Sequence, residues 1–152
     1  MKKQYYILGA LVYMLVRVNV KTEYDDLIKQ ISHEHGNSPH LIKAIIKRES
    51  NFRPKAHNTR GEDSRGLGQI NAPTASALGV SDLDRLFDPA YNIEIMNKLM
   101  DDLKKRYDNI LAIISAYNAG RPLMSEDTGK YLNSVYVFDV FSSYLAYSIF
   151  DI

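Results

Sequence analysis

Glu49 is the residue in this chain with the clearest capacity for chemistry. It lies in Arg48-Glu49-Ser50-Asn51-Phe52-Arg53-Pro54-Lys55-Ala56, at the last turn of an apolar-periodic helix. A carboxyl there faces the negative end of the helix dipole, which disfavours ionisation. Partial desolvation acts in the same direction. A carboxyl held protonated near neutral pH can serve as a general acid. Three further segments follow: Ser64-Arg65-Gly66-Leu67-Gly68-Gln69-Ile70, Ala116-Tyr117-Asn118-Ala119-Gly120 and Tyr131-Leu132-Asn133-Ser134-Val135. A tyrosine offers an apolar ring with a polar tip, suited to the faces of sugars. An asparagine offers both a donor and an acceptor to an acetamido group. Together these residues suggest one acidic side chain within a sugar-binding cleft. Breaking a glycosidic bond needs a proton on the leaving oxygen, and ordinary glycosidases use two carboxyl groups for the whole reaction.

Helices must position these groups. Ser38 is a helix cap, Pro39 takes the first helical position, and Leu41, Ile42, Ile45 and Ile46 form an apolar stripe. Glu49 follows Ile45 by four residues and Ile46 by three, so it projects at the inner edge of that stripe. Upstream, Thr22-Glu23-Tyr24-Asp25 reads as a capping box with Asp in place of Glu, and Leu27, Ile28 and Ile31 continue a helix that Gly36 stops. Residues 51–71 are loop-rich, with Pro54, Gly61, Gly66 and Gly68, and strand is expected there only as a short hairpin. A short helix is expected from Pro73 to Leu78, and a longer one from Asp88-Pro89 through Leu103. Another should be capped by Asp108 and end before Gly120, and the last should start near Glu126 or Asp127. Its tail from Val135 to Phe150 is rich in Val, Phe and Tyr, which suits a core helix or a partner-facing surface. The expected fold is mainly α, a helical bundle around a cleft.

The four segments, in this order, resemble those of the lytic transglycosylases of the soluble-lytic-transglycosylase (SLT) type, which have a lysozyme-like fold. The resemblance covers roughly residues 39–135. It implies cleavage of the β-1,4 bond between N-acetylmuramic acid and N-acetylglucosamine in peptidoglycan strands, leaving 1,6-anhydromuramic ends and needing no cofactor or metal. Glu49 would act alone, first as acid and then as base. Ser64 corresponds to the serine that supports this Glu, and Gln69 to the glutamine of the Gly-Leu-Met-Gln pattern that lines the cleft. Gly68 stands where the family usually has Met. Tyr117 and Asn118 match the Ala-Tyr-Asn-x-Gly segment. Tyr131 corresponds to the tyrosine of a late Tyr-Val-x-x-Val pattern, with Leu132 in place of Val, and its hydroxyl would approach Glu49 across the cleft. A goose-type lysozyme hydrolase on the same fold is the alternative. It needs a second carboxylate, and Glu62 and Asp63 lie in the right loop region, although exposed turn residues are the ordinary expectation there. A non-catalytic glycan-binding or structural module is the third reading, against which the retention of Glu49 argues.

Composition bounds these readings. The 152 residues are 45% hydrophobic and 24% charged, the balance of one ordered domain. Cysteine is absent, so no disulfide or thiolate metal site can form. His33-Glu34-His35 lacks the i, i+4 histidine spacing of a helical zinc site. Lys2, Lys3, Arg17 and Lys21 occur in residues 1–21 without an acid, leaving 15 basic against 18 acidic side chains in the rest. That balance is not the basic excess of a nucleic-acid binder. A local cluster of Lys43, Lys47, Arg48, Arg53, Lys55, Arg60 and Arg65 reads either as a solvated face or as an attraction for an anionic glycan with carboxylated peptide stems. Lys2-Lys3 precede an apolar run from Ile7 to Val16, shorter than the roughly 20 residues of a membrane span. Residues 1–21 therefore read as a secretory signal or an N-terminal anchor, with membrane association through residues 5–20, and residues 22–152 as the catalytic domain. The expected location is exported, in the periplasm or cell envelope. A small enzyme of this kind fits wall opening for a secretion system, a pilus or a phage particle.

Overall fold

The computed structural model describes residues 21–150. The signal or anchor reading of the N-terminus therefore falls outside the described residues, Lys21 excepted. Among the described residues six α-helices accompany a small sheet. In chain order these are α1 (Asp25–Glu34), α2 (Pro39–Glu49), β1 (His57–Asn58), β2 (Ser64–Arg65), β3 (Ile70–Asn71), α3 (Ala72–Ala77), a 3-10 helix (Leu83–Phe87), α4 (Pro89–Arg106), α5 (Ile110–Ala119) and α6 (Ser134–Phe150). The expected hairpin gains a third strand, because β2 pairs antiparallel with both β1 and β3. No helix among the described residues is long and apolar enough to cross a membrane.

Local chemistry explains the boundaries. The Ser38 hydroxyl accepts the Leu41 amide and Pro39 opens α2. At the start of α1 the Asp25 carboxylate accepts both the Thr22 amide and the Thr22 hydroxyl. Asn71 caps α3 and Asp88 caps α4. The α5 cap is Asn109 rather than Asp108: its extended backbone lets Oδ1 accept from the amides of Leu111 and Ala112. The last helix starts at Ser134, not near Glu126 or Asp127. Those two residues sit in a turn closed by Ser125–Lys130 and Ser125–Gly129 backbone hydrogen bonds, with Gly129 left-handed at φ 63°. Turn chemistry thus prevails over helix propensity there.

The core is built on α2. Ile42, Ile45 and Ile46 are fully buried, and among the described elements α2 and α6 form the most extensive packing pair. Val137, Val140 and Tyr147 of α6 complete that interface, while Ile93, Met96 and Ile114 extend the core through α4 and α5.

One polar clamp joins α1 to α4. His35 Nδ1 lies 2.6 Å from Asp101 Oδ2 and Nε2 lies 3.0 Å from Glu94 Oε2. Asn37 donates to the other Asp101 oxygen at 2.9 Å, and Lys104 reaches Asn37 Oδ1 at 3.0 Å. His35 of the His-Glu-His segment is thus spent on an ion pair. The Asp101 carboxylate, and to a smaller extent Glu94, hold the His35 imidazole above its ordinary value despite partial burial. A raised folded value means the clamp contributes fully below the unfolded value of about 6.5 and fades as pH climbs through the folded one. Denaturant titrations of wild type and His35→Gln should therefore differ most on the acid side of neutrality and converge at alkaline pH. A gap that widens with pH would contradict this assignment.

Candidate active site

Glu49 is the last residue of α2, so its side chain leaves the helix where α2, α6 and the loop beyond meet. Its Oε1 accepts a 2.6 Å hydrogen bond from the Tyr136 hydroxyl. Burial pushes the carboxyl above its usual range, against the Tyr136 hydrogen bond and the charge of Arg48, which both favour the ionised form. The Tyr136 phenol is itself driven up, first by burial and then by Glu49, and remains a donor. Arg48 sits 5.4 Å from the Tyr136 ring centroid and pairs with Asp139 at 3.4 Å.

The chain leaves α2 through Asn51 and Phe52, both left-handed at φ 50° and 62°. Bulky residues seldom adopt that conformation, and its occurrence beside a half-buried carboxyl marks a site under constraint. The turn lays Arg53, Pro54 and Lys55 along one side of Glu49. Two cavities meet at this carboxyl, and Asn58 and Gln69 also line both. The smaller, about 240 Å³, is polar and adds Ser64, Asn71, Thr74, Tyr117 and Asn118. The larger, about 800 Å³, runs past Phe52, Arg53, Lys55 and His57 to Glu23 and Tyr24.

The structure brings five of the six expected residues to one place. Ser64 lines the small cavity from β2. Gln69, left-handed at φ 48°, uses its amide nitrogen to brace the loop, donating to the carbonyls of Ala56 and Gly66 at 3.0 Å each. Tyr117 donates its hydroxyl to the Gly68 carbonyl at 3.0 Å. Burial first, and Glu49 second, push that phenol well above its ordinary value. Asn118 is exposed to the cavity, and its Oδ1 accepts from Asn133 at 3.0 Å. With that oxygen engaged, the amide nitrogen is the donor presented to a ligand. Tyr131 is the exception: it forms a backbone bridge with Met124 and packs against the core. The hydroxyl on Glu49 belongs to Tyr136, five residues later, because the helix begins only at Ser134.

Sequence reasoning also missed what holds the loop. Asn92, fully buried on α4, donates to the carbonyls of Arg65 and Leu86 at 3.1 and 2.9 Å and accepts the Gly68 amide at 2.8 Å. A polar residue inside the apolar period of α4 was the available signal. Gly66 is left-handed, and a Cβ there would collide with the Leu86 carbonyl and Asn92. At Gly68 a Cβ would come within 2.5 Å of the Met96 side chain and 2.8 Å of the Tyr117 hydroxyl. Met96 thus occupies space next to the position where the family carries its own Met.

Of the basic cluster, Arg53 and Lys55 line the cleft. Lys43 is buried 2.8 Å from Asp25, and Arg65 pairs with Asp63 and Asp84. Arg65 and His57 hold the Asp63 carboxyl down at about 2. Glu62 accepts from Asn71 at 2.7 Å and lines neither cavity. Glu23 is the other carboxyl among the residues that line the larger cavity.

Residues 26–134 match the model of the family described as Transglycosylase SLT domain. The chain belongs to this family. It is 28% identical over 133 residues to the membrane-bound lytic murein transglycosylase C of Edwardsiella ictaluri, covering 74% of this chain and 36% of that protein. The protein of the same name from Shigella sonnei is 31% identical over 114 residues, covering 64% of this chain and 31% of its own length. The chain therefore spans about a third of the length of these curated relatives. The crystal structure of the 70-kDa soluble lytic transglycosylase of Escherichia coli superposes with a TM-score of 0.69 at 25% identity, over 84% of this chain and 24% of that one.

Two substitutions test the site's construction. Asn92→Ala removes three hydrogen bonds from buried groups, so it should cost roughly 2–4 kcal/mol and loosen the loop that carries Gln69. Chemical denaturation reads this directly, and a loss below about 0.5 kcal/mol would show that Asn92 is not the anchor. Tyr136→Phe deletes the donor that favours the Glu49 carboxylate, so the Glu49 titration should move further upward. The alkaline limb of the pH–rate profile should then shift to higher pH, while the rate falls roughly tenfold or more. An unshifted or acid-shifted limb would separate Tyr136 from the titration of Glu49.

Proposed function

We propose that the chain is a peptidoglycan lytic transglycosylase that works with a single carboxyl. The observation that carries this reading is the Glu49 carboxyl itself: half-buried where two cavities meet, raised in pKa, and held by Tyr136. Protonated Glu49 gives its proton to the glycosidic oxygen as the bond from C1 of the muramic residue breaks. The resulting carboxylate, stabilised by the Tyr136 hydroxyl, then takes the proton from the C6 hydroxyl as that oxygen bonds to C1. The 1,6-anhydro ring closes, no water is consumed, and Glu49 ends protonated as it began. The substrate's N-acetyl group stabilises the intermediate, and Asn118 and Tyr117 suit the acetamido group and sugar face. Ser64 and Gln69 shape the cleft wall around it. The names of the relatives, lytic murein transglycosylases described as membrane-bound, support the same substrate and an envelope location. Residues 1–21 would serve export or anchoring, for wall opening by a secretion system, a pilus or a phage.

The state of the other carboxyls argues against a two-carboxyl hydrolase. Asp63 is committed to Arg65 and His57, and Glu62 to Asn71. Glu23 is the acidic residue that shares the cleft lining with Glu49, so the decisive comparison is between these two. Glu49→Gln should lower turnover about 10²–10⁴-fold with glycan binding retained. It should also raise the melting temperature at neutral pH, because it removes a buried carboxylate whose raised pKa opposes folding above the unfolded value. Glu23→Gln should keep most activity, and mass spectrometry of the muropeptides should find anhydromuramic ends. Reducing-end products together with an inactive Glu23→Gln would establish the goose-type hydrolase instead. Glycan binding without cleavage by wild type would establish the non-catalytic module.

A further inference from the structure

Asn133 is the last residue before α6, and its carbonyl accepts the Val137 amide of that helix at 3.1 Å. An asparagine in this place ordinarily spends its side chain on the helix's own first amides. Here the side chain turns toward α5 instead. Its Oδ1 accepts the Ser115 hydroxyl at 2.7 Å. Its Nδ2 donates to the Ser115 carbonyl at 3.2 Å and to Asn118 Oδ1 at 3.0 Å. Ser115 is fully buried, and its hydroxyl accepts the Leu123 amide at 3.0 Å. The three Asn133 side-chain bonds all run to α5, and one of them ends on a residue of the cleft.

The direction of every bond in this network is fixed by backbone groups. A main-chain carbonyl only accepts, and a main-chain amide only donates. The Ser115 carbonyl therefore dictates which end of the Asn133 amide is nitrogen. The Leu123 amide makes the Ser115 hydroxyl an acceptor on one side, which leaves its hydrogen for Asn133 Oδ1. Turned over, the Asn133 amide would set oxygen against the Ser115 carbonyl. The remaining Nδ2 hydrogen can be met only by an oxygen, so Asn118 gives up its Oδ1 and keeps its Nδ2 for the cleft. Among the described residues nothing accepts from that nitrogen. An acetamido group offers it a carbonyl. A free amino sugar has no such carbonyl, and its protonated amine only donates. With the cleft read as a glycan site, on which this rests, we propose that Asn133 is a positioning residue that fixes Asn118 as a donor. The small cavity thereby selects an N-acetylated sugar over its free-amino counterpart.

The full chain carrying Glu49→Gln separates recognition from turnover. The probes are a chito-oligosaccharide and its fully de-N-acetylated counterpart, titrated by calorimetry at mildly acidic pH, where the amines are protonated. The ratio of the two affinities is the readout, because a merely loosened α5–α6 corner weakens both ligands alike. Adding Asn133→Leu releases the Asn118 amide, and the preference for the acetylated ligand should fall several-fold, the worth of one hydrogen bond. Adding Asn133→Asp keeps an acceptor for the Ser115 hydroxyl but offers Asn118 only oxygen. The Asn118 amide should then turn its nitrogen inward and its oxygen to the cleft, lowering the preference roughly tenfold or more. Either variant, folded by circular dichroism, decides the matter alone. In an Asn118→Ala background neither should move the ratio. A ratio unchanged by Asn133→Leu and Asn133→Asp, or moved equally without the Asn118 amide, overturns the proposal while glycan binding stands. Failure of Glu49→Gln to bind either ligand overturns the glycan reading of the cleft, and this selection with it.

Discussion

The partial burial of the Glu49 carboxyl is the constraint from which the rest of the structure follows. An ionisable group taken from water must be neutral or be met by partners. Here it is met on one side by Tyr136 and Arg48 and left open to the cleft on the other. That arrangement exists only if α6 lies directly against the end of α2, which explains why this interface is the most extensive among the described elements. It also explains why α6 carries tyrosines on a face that aliphatic side chains would fill as well. The protein gives up stability here, since a raised carboxyl opposes folding at neutral pH, and gains a proton donor at a fixed point.

A second requirement is that the opposite wall stay rigid without covering Glu49. Three backbone groups of the 65–68 and 86 segments converge on one buried amide, that of Asn92. Gln69 adds two more hydrogen bonds from inside the loop. The glycines serve this convergence: the Leu86 carbonyl and Asn92 stand where a Gly66 side chain would begin. Gly68 lets Met96 and the Tyr117 hydroxyl come close to the backbone, so a departure from the family pattern in the loop is matched by a side chain from α4. Loop and helix are one packing unit.

The parts of this design that obey local rules were readable in advance. The Ser38 cap, Pro39 and the isoleucine stripe located α2 and set Glu49 at its inner edge, because helix period and capping act within a few residues. What was illegible depended on distant partners. Tyr131 and Tyr136 are equally aromatic, and the choice between them turns on where α6 begins. Glu126, Asp127 and Gly129 could start a helix or close a turn, and the Met124–Tyr131 bridge settles it as a turn. The three partners of Asn92, two from the 65–68 loop and one from Leu86, are set by the fold and not by its neighbours in sequence. Glu23 lies 26 positions before Glu49, and only the fold brings both to one cleft.

The last helix was ambiguous for a physical reason: it has two apolar faces, and a period of 3.6 marks only one. Tyr136, Val137, Val140 and Tyr147 meet the core, whereas Val135, Phe138 and Ile149 point out. An ordinary surface helix separates such faces by polarity. Here the boundary is drawn by Asp139 alone, fixed by the arginine that adjoins Glu49 in sequence. The ion pair therefore ties the rotation of α6 about its axis to the position of the carboxyl. Turning α6 far enough to bury the outer stripe would carry the Tyr136 hydroxyl off Glu49 and separate Arg48 from Asp139. The outer stripe stays exposed because the inner face has no freedom to share the burial.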